Sequence, residues 1–201
     1  VSVQFCCSNT MNVAMLRARG LEGYCYTTWE ATARQLRVLR VRKVLQSVNV
    51  LLATRGNSTM AIASSSDSFV NLDDVTKNLG PRFRFISIHE LIDQATIPAS
   101  GVNPTAPTRR GLNFTAQELS EIDAKADELA AHAEECTLEK RFIVNSLRGY
   151  AMVKKLLEHM ECSAFSAPCP EMCATTRLNK EQFTFCFTHS LLNEEGIPSA
   201  C

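Results

Sequence analysis

The run Val48-Asn49-Val50-Leu51-Leu52-Ala53 limits this chain more than any other stretch. It is apolar apart from Asn49, lacks the alternation of a strand with one wet face, and is too short for a core helix. Runs of this kind are strands covered on both faces, as in a parallel sheet flanked by helices. Any fold for the chain has to build helical layers around it.

The remaining residues provide such layers. VSVQF at the start reads as a strand, and Asn9 to Arg19 has helical spacing through Val13 and Leu16 with a stop at Gly20. GYCYT reads as a strand, after which Thr27 and Glu30 are spaced as a capping box for a helix through Trp29, Ala33 and Leu36. Its basic residues Arg34, Arg37, Arg40, Arg42 and Lys43 are read as a solvated face or an interface. Asn71 and Asp74 open another helix that Gly80 and Pro81 close, RFRFISI alternates as a strand, and Ser87 with Glu90 caps the short helix HELIDQ. Thr115 with Glu118 starts a helix whose stripe is Leu119, Ile122, Ala126, Leu129, Ala130 and Ala133. A second helix from Leu138 buries Phe142, Ile143, Leu147, Tyr150, Val153, Leu157 and Met160, and the two are expected to pair antiparallel on the sheet. Pro98 to Gly111, with three prolines and no periodicity, reads as a surface loop serving as a flap or an interface arm. The last forty residues hold the strand around Ala164-Phe165, a Pro/Cys loop, a helix and a strand ending at Cys201. The alternation predicts an α/β fold: a three-layer, mostly parallel sheet with helices on both faces, Rossmann-like or flavodoxin-like. Strand-like residues at both ends predict a segment of a longer polypeptide.

Charge and cysteine usage narrow the partners. The 21 basic residues balance the 21 acidic ones, so no net field draws the chain to nucleic acid or to an anionic membrane. No apolar run approaches the roughly 20 residues that span a bilayer. Nine cysteines, an odd count in a long chain, predict reduced thiols and a cytoplasmic protein, with Cys25, Cys162, Cys186 and Cys201 packed as small hydrophobes. The sequons at Asn57 and Asn113 are then chance matches. Neither GxGxxG nor GxxxxGK[ST] occurs, which argues against a nucleotide cofactor.

The candidate chemistry lies in the loop after the Ala164-Phe165 strand, because ligands of parallel sheets collect at the strands' carboxyl ends. Cys162, Cys169 and Cys173 lack the CxxC pair of a structural zinc site, and no metal is assigned to them. Cys169 or Cys173 with His189 has the composition of a thiol–imidazole pair, but His189 falls on an apolar helical face and reads as a core histidine. Glu171, with Arg177 and Asn179 nearby in sequence, is the carboxylate best placed to bind a polyol.

The order of Ala164-Phe165, a Pro/Glu-containing loop, a helix closing on LLNEEGIP and then Ser-Ala-Cys resembles the L-arabinose and L-fucose isomerase superfamily. The Trp29 helix, the basic stretch Arg37 to Lys43 and the turn Gly56 to Met60 fall in the same order. The resemblance implies that residues 1–46 end a preceding N-terminal α/β domain and that 47–201, with loop 98–111, form the central domain of an isomerase. It implies an aldose–ketose isomerase of carbohydrate metabolism that works through an enediol. A divalent cation, usually manganese, polarises the sugar oxygens in that chemistry. It further implies a homo-oligomer, a small-molecule sugar as substrate, and a pocket near Met60, Cys169, Pro170 and Glu171. The first acidic metal ligand of the family would follow Cys201, so this stretch carries no catalytic or metal-binding residue of the family and is expected to be inactive alone. Where the arabinose branch has an aromatic residue, this chain has Cys169 or Pro170, and sugar specificity does not transfer. A non-catalytic sugar-binding or regulatory protein on the same scaffold is the alternative, and a free-standing flavodoxin-like domain that binds a partner is a third reading.

Overall fold

A computed structural model describes residues 7–54, 71–96, 112–169 and 184–201. The strand read at Val1–Phe5, the turn Gly56–Met60 and the loop Pro98–Gly111 lie outside them. The chain divides into two compact units, Val1–Ser47 and Val48–Cys201.

The described part of the first unit holds helix α1 (Cys7–Ala18) and helix α2 (Trp29–Leu45). GYCYT is not a strand. A strand needs a neighbouring ladder, and side chains hold this segment instead: Arg17 Nε donates to the Gly23 carbonyl at 3.0 Å and the Tyr26 hydroxyl donates to Gln35 Oε1 at 2.8 Å. The cap of α2 is Thr28 rather than Thr27, its Oγ1 accepting from the Ala31 amide at 3.2 Å. Three residues after the cap stands Ala31, so Glu30 cannot close a reciprocal box. The five basic side chains of α2 are exposed, and so are Trp29, Leu36, Val38, Val41 and Val44.

The second unit is α/β. Strand β1 (Asn49–Thr54) is followed by helix α3 (Leu72–Leu79), strand β2 (Arg82–Ser87), helices α4 (Ile88–Thr96), α5 (Ala116–His132) and α6 (Lys140–His159), strand β3 (Ala164–Ser166), helix α7 (Phe185–Glu194) and strand β4 (Ser199–Ala200). The four strands form a parallel sheet in the order β2-β1-β3-β4. β1 therefore has a neighbour on each side, and its residues Leu51 to Thr54 are buried, as its unbroken apolar run requires. β2 lies at an edge of the described sheet, and its burial does not alternate as expected but increases from the exposed Arg82 to the buried Ile86. Its register starts with Asn49 opposite Arg82. β3 pairs in turn with β1, Leu51 opposite Phe165, and with β4, Phe165 opposite Ser199.

Helix α6 is central to the helical packing, touching α4, α5, α7 and β3. It buries Leu147, Met152, Val153, Leu156 and Leu157, and α4 adds Ile88, Leu91, Ile92 and Ala95 at helical spacing. α4 follows β2 directly: Glu90 accepts from Gln94 Nε2 at 3.2 Å within the helix, while Ser87 is paired in the sheet opposite Thr54. The capping box of α5 is complete, with Thr115 and Glu118 each bonding the other's amide. Glu118 in the first turn of α5 meets Lys155 near the end of α6 at 2.6 Å, while Asp127 late in α5 meets Lys140 at the start of α6 at 2.7 Å. The two helices are thus antiparallel. Among the described residues no helix is long and apolar enough to cross a membrane.

Candidate functional site

The strand order sends the chain from β1 outward to β2 and then back past β1 to β3. Ligands of open α/β sheets bind outside the carboxyl ends of the strands at such a reversal. β3 runs out through Ala167 and Pro168 to Cys169, and β4, beside it, runs out to Cys201. The two thiols thus leave the same edge of the sheet from adjacent strands.

The third member comes from α7. Thr184 caps this helix, its Oγ1 accepting from the Cys186 amide at 3.2 Å, and Phe185, Thr188, His189 and Leu192 form the buried stripe. That spacing puts His189 on the inward face, where its ring stacks on Phe165 with centroids 5.6 Å apart and planes 28° apart. The sequence-level reading of a core histidine is right about burial but incomplete about partners. His189 Nε2 lies 3.4 Å from the Cys169 sulfur, and Nδ1 lies 2.6 Å from the Ser199 hydroxyl. Ser199 is itself clamped: its amide donates to Asn193 Oδ1 at 3.0 Å, and its carbonyl accepts from Asn193 Nδ2 at 2.8 Å. Asn193 is four residues beyond His189 on α7, so one helix both carries the imidazole and fixes the residue that orients it.

Cys169, His189 and Cys201 have their ligating atoms within 4.8 Å of one another. Cys169 and His189 are buried, at 6% and 7% exposure, whereas Cys201 is exposed. Burial pushes the His189 imidazole below its usual range, so at neutral pH the ring is uncharged and its two nitrogens divide into one donor and one acceptor. A buried thiol against an uncharged imidazole, held by a serine, can pass a proton from sulfur to nitrogen or bind a soft metal ion. Attack on a substrate needs an accessible sulfur, and Cys169 does not offer one.

This grouping differs from the one the spacing suggested. Cys162 precedes β3, at the opposite end of the strand, where its thiol donates to the Met160 carbonyl at 3.4 Å. Cys173 lies outside the described residues. The expectation that Cys25, Cys162, Cys186 and Cys201 are all packed inside is also corrected: Cys25 and Cys162 are half-buried and Cys186 and Cys201 are exposed, whereas Cys169 is buried. Cys186 follows the first residue of α7 and is set off the inward stripe; Cys201 follows a two-residue edge strand. Ser199 and Cys201 were not legible as site residues. The signal available was their position, directly at the end of a strand parallel to the one that ends before Cys169. Of the residues expected to wall a sugar pocket, Cys169 is placed at this edge, while Met60, Pro170 and Glu171 lie outside the described residues, as do Arg177 and Asn179.

A separate cleft of about 300 Å³ is lined by Phe114, Ile122, Glu118, Tyr150, Lys154 and Lys155 among others. Its lysines are already paired, Lys154 with Glu195 at 2.8 Å, Lys155 with Glu118 and Lys125 with Glu128, so it presents no uncompensated cation to an anionic ligand. The polar cluster at the sheet edge is the stronger candidate.

No known family model matches the chain, and no curated protein does.

Proposed function

We propose that this chain is part of a metal-dependent aldose–ketose isomerase resembling the L-arabinose and L-fucose isomerases, with residues 47–201 forming a three-layer, Rossmann-like central domain. The observation that carries the reading is the arrangement at the carboxyl edge. The Ala164-Phe165 strand and the Ser199-Ala200 strand, which hold the two halves of the resemblance, are neighbours in one parallel sheet, and both end beside a buried polar cluster. An acidic ligand following Cys201 would stand at this edge.

Manganese takes oxygen ligands, and the described residues that come together here supply two sulfurs and an imidazole. They do not fit manganese, and no step of the isomerisation is assigned to them. On this reading the chain contributes the scaffold. Cys169 turns its thiol inward to His189 at the end of β3. The second reading is a sugar-binding or regulatory protein on the same scaffold, without catalysis.

The test is to assay the native polypeptide with manganese against a panel of aldopentoses and 6-deoxyaldohexoses in deuterated water. Ketose formation, with solvent deuterium entering C1 of the ketose, is the expected result. Saturable sugar binding without ketose would replace the enzyme by the binding protein. Absence of both would overturn the sugar reading.

A further inference from the structure

We propose that Cys169, His189 and Cys201 form a binding site for zinc. The ion is distinct from the manganese of an isomerase, and the inference does not depend on the isomerase reading.

The geometry is already close to what zinc requires. Zinc binds thiolate at about 2.3 Å and imidazole at about 2.0–2.1 Å, so a tetrahedral site separates a sulfur from a nitrogen ligand by about 3.6 Å. Cys169 Sγ and His189 Nε2 stand 3.4 Å apart. Two thiolates in the same site lie about 3.8 Å apart, within the 4.8 Å that bounds all the separations of this trio. Closing the site around an ion thus takes adjustments of about an ångström or less.

The second requirement is an oriented imidazole. Metal-bound histidines donate their other ring N–H to a fixed acceptor, which sets the tautomer. Here Nδ1 faces the Ser199 hydroxyl at 2.6 Å, and Asn193 holds Ser199 by two hydrogen bonds. With Nδ1–H donating to Ser199, the lone pair of Nε2 points to the side where Cys169 lies. The ring is further fixed by stacking on Phe165.

The third is the donor set. Two thiolates and an imidazole select zinc over manganese, magnesium or calcium, which prefer oxygen. Each thiol releases its proton to solvent on binding, no electrons are transferred, and the two thiolates neutralise the dication. Cys201 is exposed, so the fourth position opens to water, as in zinc sites with three protein ligands.

The experiment uses the full chain, reduced and freed of metal, titrated with cobalt(II) as a spectroscopic stand-in and then with zinc. The expected result is one cobalt per chain with a sulfur-to-cobalt charge-transfer band and the intense visible bands of a tetrahedral site, both bleached by zinc. Cys201→Ser, at an exposed position that leaves the core intact, should lose most of the charge-transfer intensity. Ser199→Ala should keep the spectrum but weaken affinity roughly ten- to hundred-fold. Circular dichroism of each variant checks that the fold is retained. A weak octahedral cobalt spectrum in the parent chain, or a tetrahedral one that Cys201→Ser and Cys169→Ser leave unchanged, would overturn the site.

Discussion

Glu118 combines three roles in one side chain. It closes the capping box of α5 by accepting from the Thr115 amide at 2.7 Å, pairs with Lys155 at 2.6 Å and so joins α5 to α6. Burial pushes its carboxyl up, but the bonds from Lys155 and Thr115 outweigh burial and leave it below the ordinary value of 4.5. The unfolded chain then takes up this proton at a higher pH than the folded one. The stability it confers is complete above the ordinary carboxyl value and is lost as pH falls through the folded value. The side chain is 35% exposed, so screening holds the effect below about 1 kcal/mol. Glu118→Gln retains a capping partner and loses the ion pair. Urea midpoints measured from pH 6 to pH 3 should fall less steeply for this variant than for the parent chain, and parallel curves would show that Glu118 adds nothing.

At the scale of elements, the helix ends that feed β3 and β4 are built alike and occupied differently. After α7, the Ile197 amide bonds to the Leu192 carbonyl at 2.9 Å and the Gly196 amide to Asn193 at 3.0 Å, a Schellman ending with Gly196 at φ 79°. After α6, the Cys162 amide bonds to Leu157 at 2.8 Å and the Glu161 amide to Glu158 at 3.1 Å, the same ending with a glutamate at φ 49°. A side chain in the left-handed region costs about 1–2 kcal/mol. Nothing lies within 4 Å of a methyl group placed on Gly196, so Gly196→Ala isolates that cost and should destabilise the chain by about 1 kcal/mol. Glu161→Gly should raise stability by up to about the same amount, less what is lost with the exposed Arg84 pair at 3.4 Å. Thermal melts of both variants check the opposite signs; two shifts in the same direction would show that tertiary contacts, not backbone conformation, govern these turns.

For the whole molecule, the buried core belongs to the second unit. Its cluster runs from Leu51 through Ile92, Met152 and Leu156 to Phe165, Phe185 and Leu192, whereas the first unit's large apolar residues Met11, Trp29, Val41 and Val44 are exposed. Opening free energy follows buried apolar contact. Amide hydrogen exchange should therefore show the slowest protons in β1 and α6 and faster exchange in α1 and α2. Equal protection in all four would indicate that the first unit is stabilised by burial that its own residues do not provide.

Most described elements of the second unit, and its α/β class, are legible in the sequence. A short apolar run without alternation favours a covered strand, a pattern such as Thr115 and Glu118 favours a helix start, and a glycine after an apolar stripe favours its end, because these preferences act over a few neighbouring residues. The same reasoning misplaced the cap of α2 by one residue and took GYCYT for a strand, since a strand is completed by a ladder that local composition does not specify. The meeting of Cys169, His189, Ser199 and Cys201 is a product of the packing. They are brought together by the pairing of β3 with β4 and by the face of α7 turned to that pair. Those are contacts between distant segments, and spacing along the chain does not encode their distances.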